Sequence, residues 1–429
     1  MKRITVLIGA GAMIEATGAS TGKITKYVKR KCQECCFSNG TPVLTQFCKD
    51  YRDIQKIKRD TKRNQRKSKA LKNGLCQKKI NEVKEANFED LLDMLEILAD
   101  YAEKGTNTSS SVVLATLREQ YKNVDHRLLF RTKELFIDSI NNYIYRYDKA
   151  FKRKGTWMKM FFNNLISKEE CVLDVFNLNY DTWIEQILED YVDGFVPLDG
   201  YDDFSRFSGR VYLNSGERHT ISHLHGQICF TDPDFRAEDV NRYACEEQEY
   251  TLYKYKNFDL ANDYRKRHVR SDDKNQAGHN IFLTNIITGR MKTDKLLWSP
   301  MQIYMYGLIK ALVENEELLI IGYGFGDQYI NNLLFQYLQY HPSNKRIRMI
   351  TLLKPEEFEH KVAIHGSPFH DVQSRFAQCM MHNTHWCSPF NRPENGCYVS
   401  HYRDDNIATV YLNGFQDFCN RYTAGEFFK

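Results

Sequence analysis

Short apolar runs punctuate the chain, and each ends in a polar or glycine-rich loop. Ile4 to Ile8 is continuous and β-branched and runs into Gly9-Ala10-Gly11-Ala12. Cys171 to Phe176 precedes Asn177-Leu178-Asn179-Tyr180-Asp181, and Leu318 to Ile321 precedes Gly322-Tyr323-Gly324-Phe325-Gly326-Asp327. Ile347 to Leu353 precedes Lys354-Pro355, and a weaker run around Ile221 to Leu224 leads into His225-Gly226. Runs of this length without alternation predict strands buried on both faces. Between them the period changes. Phe88, Leu91, Leu92, Leu95, Leu98 and Tyr101 recur at three and four, with Asn87 placed as an N-cap and Glu89 and Asp90 in the first turn. Leu128 to Tyr143, Trp157 to Ile166 and Tyr329 to Tyr337 predict further helices. Strands alternating with helices predict an α/β fold, Rossmann-like, with a mostly parallel sheet and large helical insertions.

Composition supports a folded chain: 429 residues, 42% hydrophobic and 27% charged. No apolar run reaches the roughly 18 to 20 residues of a membrane span, and the apolar N-terminal stretch is shorter than a signal sequence needs. A cytoplasmic protein without membrane contact is expected. The 12 cysteines are scattered rather than packed into a disulfide framework. A net charge of +5 is too weak to name a partner, but it is unevenly placed. Residues 52–79 hold 12 Lys/Arg against Asp53 and Asp60, a net +10 that leaves −5 for the rest. That segment reads either as a solvated basic helix or arm, or as a surface for a partner or nucleic acid. Residues 231–280 are polar and charge-mixed, as expected of a second insertion.

The loops after the apolar runs hold the candidate chemistry. A glycine turn after a first strand lets backbone approach a phosphate and opens a helix whose N–H groups face it; the alternative is a glycine turn with no ligand. The third glycine of a dehydrogenase fingerprint would fall at Ile14, so an ordinary dehydrogenase is disfavoured. Asn179 and Asp181 offer an amide and a carboxylate at a strand end, or an Asx-turn with Tyr180 in the core. His225 offers a general base or a structural imidazole. Gly322 to Asp327 would contact a nucleotide or turn the chain into a helix. What distinguishes these loops is their shared position at the carboxyl ends of strands, where open α/β sheets bind ligands.

Gly-Ala-Gly near the start, then Asn-Tyr-Asp, Leu-His-Gly and Ile-Gly-Tyr-Gly-Phe-Gly-Asp, occur in an order that resembles the sirtuin-like domains of bacterial antiphage defence proteins. Gly18-Ala19-Ser20-Thr21 and Asn87-Phe88-Glu89-Asp90-Leu91-Leu92 share in this resemblance, which spans roughly residues 4–353. In length the chain most resembles the sirtuin-like subunit that partners a HerA-type hexameric ATPase. The resemblance implies NAD+ as substrate, bound by Gly9, Ala10, Gly11, Ala12, Asn179, Asp181, Gly322, Tyr323, Gly324 and Asp327. Asn179 and His225 would be catalytic. Residues 1–353 would form the catalytic domain, with a helical insertion at 50–168, and 354–429 a C-terminal extension. Met13, Ala19 and Gly324 depart from residues frequent in the family.

The implied reaction is NAD+ glycohydrolysis to nicotinamide and ADP-ribose, depleting NAD+ in an abortive antiphage response, by an oligomer with a possible ATPase partner and an indirect link to DNA. Protein deacylation or ADP-ribosyl transfer is the competing chemistry, and a non-catalytic NAD-binding scaffold the competing class. The paired Cys-x-x-Cys ribbon of deacylases is missing: Cys32 and Cys35 stand in another region. Cys379, His382, His385 and Cys387 have ligand-like spacing, but no metal is expected.

Overall fold

A computed structural model describes residues 2–73, 85–103, 121, 124–231, 252–267, 272–274, 280–282, 285–288, 295–296, 299–340, 346–352, 397–402 and 406–423. Its strands are β1 (Lys2–Ile8), β2 (Cys171–Asn177), β3 (Tyr191–Val192), β4 (Phe195–Leu198), β5 (Tyr201–Phe207), β6 (His219–His223), β7 (Phe230–Thr231), β8 (Tyr253–Tyr255), β9 (Asp272–Lys274), β10 (Asn280–Phe282), β11 (Glu317–Ile321), β12 (Arg346–Ile350), β13 (Cys397–Tyr402) and β14 (Asn406–Tyr411). Its helices are α1 (Gly11–Thr17), α2 (Thr21–Lys31), α3 (Val43–Asn73), α4 (Phe88–Glu103), α5 (His126–Lys154), α6 (Thr156–Glu169), α7 (Gly209–Leu213), α8 (Phe258–Arg267), α9 (Met301–Glu314), α10 (Gln328–Tyr340) and α11 (Phe415–Thr423).

The main sheet has the order β13-β14-β12-β11-β1-β2-β6-β3. Every pairing in it is parallel except β13 with β14 at the edge. The expected α/β fold is therefore present. The apolar runs form the central strands because both faces are covered. Ile4, Val6 and Ile8 of β1 pack with α1, α6 and α11, whereas Leu7 packs with α9 and α10. A third core, containing Phe47, Leu91, Leu95, Phe136 and Ile140, joins helices α2 to α5, of which α2 and the start of α3 lie before the 50–168 span read as an insertion. Asn87 caps α4 reciprocally: its Oδ1 accepts from Asp90 N and its N donates to Asp90 Oδ2, both at 2.9 Å.

Several boundaries differ from expectation, and α5 extends well past Tyr143 to Lys154. β6 spans 219–223 rather than 221–224, and β12 stops at Ile350, where Thr351 N turns to Tyr411 O at 2.9 Å. Within the C-terminal extension, β13 and β14 are strands of the main sheet and α11 packs beside it. β14 pairs with β12, and Phe161 of α6 packs edge-on against Phe415, Phe418 and Tyr422 of α11. The basic segment is helical to Asn73, while 74–79 lie outside the described residues. Within the polar insertion, β8, α8 and β9 are described, and 232–251, 268–271 and 275–279 lie outside the described residues. Among the described residues no helix is long and apolar enough to cross a membrane.

Candidate functional site

The chain lays β2, β6 and β3 on one side of β1 and β11, β12 and β14 on the other. The strand order thus reverses between β1 and β11, the point where an open α/β sheet leaves a crevice beyond its carboxyl ends. Four adjacent strands, β11, β1, β2 and β6, deliver Gly322–Asp327, Gly9–Ala12, Asn177–Asp181 and His225-Gly226 to that end.

At the crevice the two glycine loops touch. Gly9 N donates to Ile321 O and Gly11 N to Gly322 O, both at 2.8 Å. A Cβ on Gly322, whose φ is +61°, would lie 2.0 Å from Ala12 N, and one on Gly11 would lie 2.7 Å from Gly322 O. Close backbone approach therefore requires these glycines. The N–H groups expected to be free for a phosphate are already engaged here: besides Gly11, Ala12 N bonds Gly9 O (3.1 Å) and Met13 N bonds Ala10 O (3.2 Å). The exposed backbone at this end belongs to Ala10, Gly324 and Gly326, and a Cβ on either of the latter two would meet open space. Tyr323 is buried, its hydroxyl donating to Asn331 Oδ1 at 2.8 Å. Burial raises its pKa, so it remains a neutral donor. Phe325 takes a left-handed φ of +54° while its ring is buried against Tyr323.

The loop after β2 is an Asx-turn in which Asn177 Oδ1 accepts from Asn179 N at 2.9 Å. It aims Asn179 at the first glycine loop, where Nδ2 donates to Gly9 O at 3.2 Å. Asn179 is thus tied to the crevice wall. Asp181 lies behind it. Burial, with Asp148 and Glu185 nearby, pushes its carboxyl well above the usual range and favours the protonated form. Asn177 Nδ2 stands 3.5 Å from its Oδ1. In this structure Asp181 is a support beneath the loop rather than a surface ligand.

His225 Nε2 lies 3.0 Å from Asp327 Oδ2. The other carboxylate oxygen, Oδ1, caps α10 by accepting from Tyr329 N (3.0 Å) and Ile330 N (3.2 Å). Asp327, expected to contact the nucleotide, is therefore bonded to the imidazole and to the helix that follows it. The His225-Gly226 turn is also held from outside the motifs. Ile287 N donates to His225 O at 2.6 Å, and Gln227 N to Asn285 O at 2.9 Å. Gly226 has φ +82°, and a Cβ there would fall 2.1 Å from Asn285 O. Asn285 in turn pairs with Asn141 of α5 through two amide hydrogen bonds, 3.1 and 2.7 Å, both side chains buried.

Behind β6 sits a buried charged cluster that sequence reasoning missed. Glu185 Oε1 meets His223 Nε2 at 2.8 Å and also accepts from Gln227 Nε2. Lys254 Nζ bonds Asp193 Oδ2 at 2.6 Å and approaches Glu185 at 3.5 Å. Burial works to raise Glu185, but His223 and Lys254 overcome it and hold the carboxyl down at about 2. Burial likewise works to lower Lys254, and Asp193 and Glu185 hold it well above its usual range. The only sequence signal was His223, two residues before His225. Asn141 and Asn285 gave none.

With the geometry in place, comparison with family models supplies an independent reading. Residues 174–366 match the SIR2-like domain. The match covers less than half of the chain, so over that span the chain is similar to SIR2-like domains, which use NAD+. It covers the Asn-Tyr-Asp loop, the His-Gly turn and the Gly322–Asp327 loop of the SIR2-like domain; the Gly9–Ala12 turn lies outside it and joins through the pairing of β1 with β2 and β11. No curated protein matches the chain. An NAD+ molecule suits the donor set, with exposed backbone at Ala10 and Gly324 and an amide and an imidazole on adjacent strand ends. Among the described residues no group of three or more His, Cys, Asp or Glu is arranged to hold a metal. Cys379, His382, His385 and Cys387 lie outside those residues.

Proposed function

We propose that the protein is an NAD+ glycohydrolase. The observation that carries this reading is the convergence of Asn179, fixed against Gly9, and His225, fixed against Asp327, at the switch point of a SIR2-like sheet. Nicotinamide in NAD+ is a cationic leaving group. The C1′–N bond breaks with its electron pair going to the ring nitrogen, and water supplies the new C1′–O bond and releases a proton. Asn179 would hold the ribose and the attacking water, and His225 would bond a ribose hydroxyl or take the proton. Ala10, Gly324 and the loop ends around them would carry the pyrophosphate and adenosine side. Asp181, buried behind Asn179, would keep the Asn loop in shape.

The test is NAD+ consumption by the purified chain, read as nicotinamide and ADP-ribose. Asn179→Ala and His225→Ala should each lower turnover by about 100-fold or more. Unchanged turnover in both would sink the assignment. Turnover only with an acetyl-lysine peptide would point to deacylation, and NAD+ binding without consumption to a scaffold.

In the wider proposal this activity depletes cytoplasmic NAD+ in antiphage defence. It requires restraint, which an oligomer or a HerA-type ATPase partner would provide. Co-purification with such an ATPase, and a change in NAD+ turnover on mixing, would test that pairing.

A further inference from the structure

Helix α3 is a charged feature that the proposed chemistry leaves unused. Its start is seated in the helical core, where Val43, Leu44, Phe47 and Asp50 are buried. From Tyr51 to Thr61 none of the described side chains is buried, and Ile54 and Ile57 are 46% and 66% exposed. The helix nevertheless continues to Asn73. Residues 52–73 hold ten Lys/Arg against Asp53 and Asp60, along about 33 Å of helix at 1.5 Å per residue.

We propose that α3 is a docking surface for the phosphate backbone of double-stranded nucleic acid. Charge complementarity selects a polyanion, since a duplex carries one negative charge per roughly 1.7 Å of its axis. Composition then separates the polyanions. Residues 52–73 contain no Phe, Tyr or Trp, and single-strand binding draws much of its affinity from bases stacked on aromatic rings. A helix that lies in a lipid surface needs a continuous apolar face, yet from Lys58 to Ala70 there is no Ile, Leu, Val, Met or aromatic residue. A duplex backbone asks for neither. The contact is sequence-independent and stands apart from the NAD+ reading, because α3 contributes no residue to the crevice.

The experiment is fluorescence anisotropy of the full chain with a labelled 25-base-pair duplex of arbitrary sequence, across 50 to 200 mM salt. With about five phosphates neutralised, log K against log salt should fall with a slope of about −4 to −5. The variant combining Lys56→Gln, Lys58→Gln, Lys62→Gln and Arg66→Gln keeps helix-forming side chains. It should bind at least tenfold more weakly, with a shallower slope and an unchanged circular-dichroism spectrum. A salt-independent wild-type signal, or a folded variant that binds as well as the wild type, would overturn the proposal. So would equal or tighter binding of a single strand, anionic vesicles or polyglutamate.

Discussion

Asp327 offers the sharpest test of the site, because the sequence and the geometry assign it different work. As a nucleotide ligand, its loss would raise KM. As the group that bonds His225 Nε2 at 3.0 Å, its loss would lower kcat. Asp327→Ala removes a charge-assisted hydrogen bond, about 1.5–3 kcal/mol, and a helix cap, about 1 kcal/mol. It should therefore lower the melting temperature as well as activity, and cannot separate the two effects. Asp327→Asn can. Asparagine caps a helix as well as aspartate, so Oδ1 can still accept from Tyr329 N and Ile330 N. Its amide then presents N–H groups to Nε2 where a carboxylate had accepted, which moves the imidazole proton to Nδ1 and reverses the donor and acceptor roles of the ring. The expected result is a kcat for NAD+ consumption down by about 100-fold, within the range of general acid-base contributions. KM should stay within about threefold, and the melting temperature within about 2 °C. A kcat within threefold of wild type, or a loss confined to KM, would refute the dyad.

Three further outcomes follow from the same structure. Gly322→Ala forces a Cβ to 2.0 Å from Ala12 N at a φ of +61°, whereas Gly324→Ala meets nothing within 4 Å; the first should cost about 3 kcal/mol or more and the second less than about 1 in thermal or denaturant unfolding. Asp148 is raised from 3.8 to about 6 by burial, opposed by bonds from Thr182 N and Oγ1, so it favours folding below about pH 4 and that contribution is lost as pH rises through about 6. The span corresponds to roughly 3 kcal/mol, and Asp148→Asn should flatten melting temperature against pH between 4 and 7. Lys254→Met removes the cation from Asp193 and leaves Glu185 with His223 and Gln227, and should destabilise by about 3–5 kcal/mol, measurable by urea unfolding.

The sequence made the strands and the loops legible for one physical reason. A strand covered on both faces must be apolar throughout, and the polar residues expelled from it collect at its ends, where the chemistry sits. Ile4–Ile8 and Leu318–Ile321 could be read this way without knowing that they pair. The alternation of buried and exposed sides was not legible, because both sides are buried. Nor was the interlock of Gly11 with Gly322, more than 300 residues apart, whose glycines look identical to phosphate-binding ones. Asp327 carried a similar ambiguity: a carboxylate after a glycine loop reads as a ligand until the imidazole beside it is seen. The cluster of Glu185, His223, Gln227 and Lys254 was hidden because its members come from separate elements, and each alone passes for a surface residue.

Helix α5 links these observations. Asn141 and Asp148 are seven residues apart, two helical turns, and so lie on one face. Asn141 pairs with Asn285 and through it holds the His225-Gly226 turn, while Asp148 accepts two hydrogen bonds from Thr182 and holds the Asn177–Asp181 loop. One helix of the insertion thus braces both loops assigned to catalysis, using buried polar contacts whose lengths tolerate little displacement. A shift of α5 would therefore reach the Asn179 and His225 loops together. The helical insertion is therefore part of the site's construction.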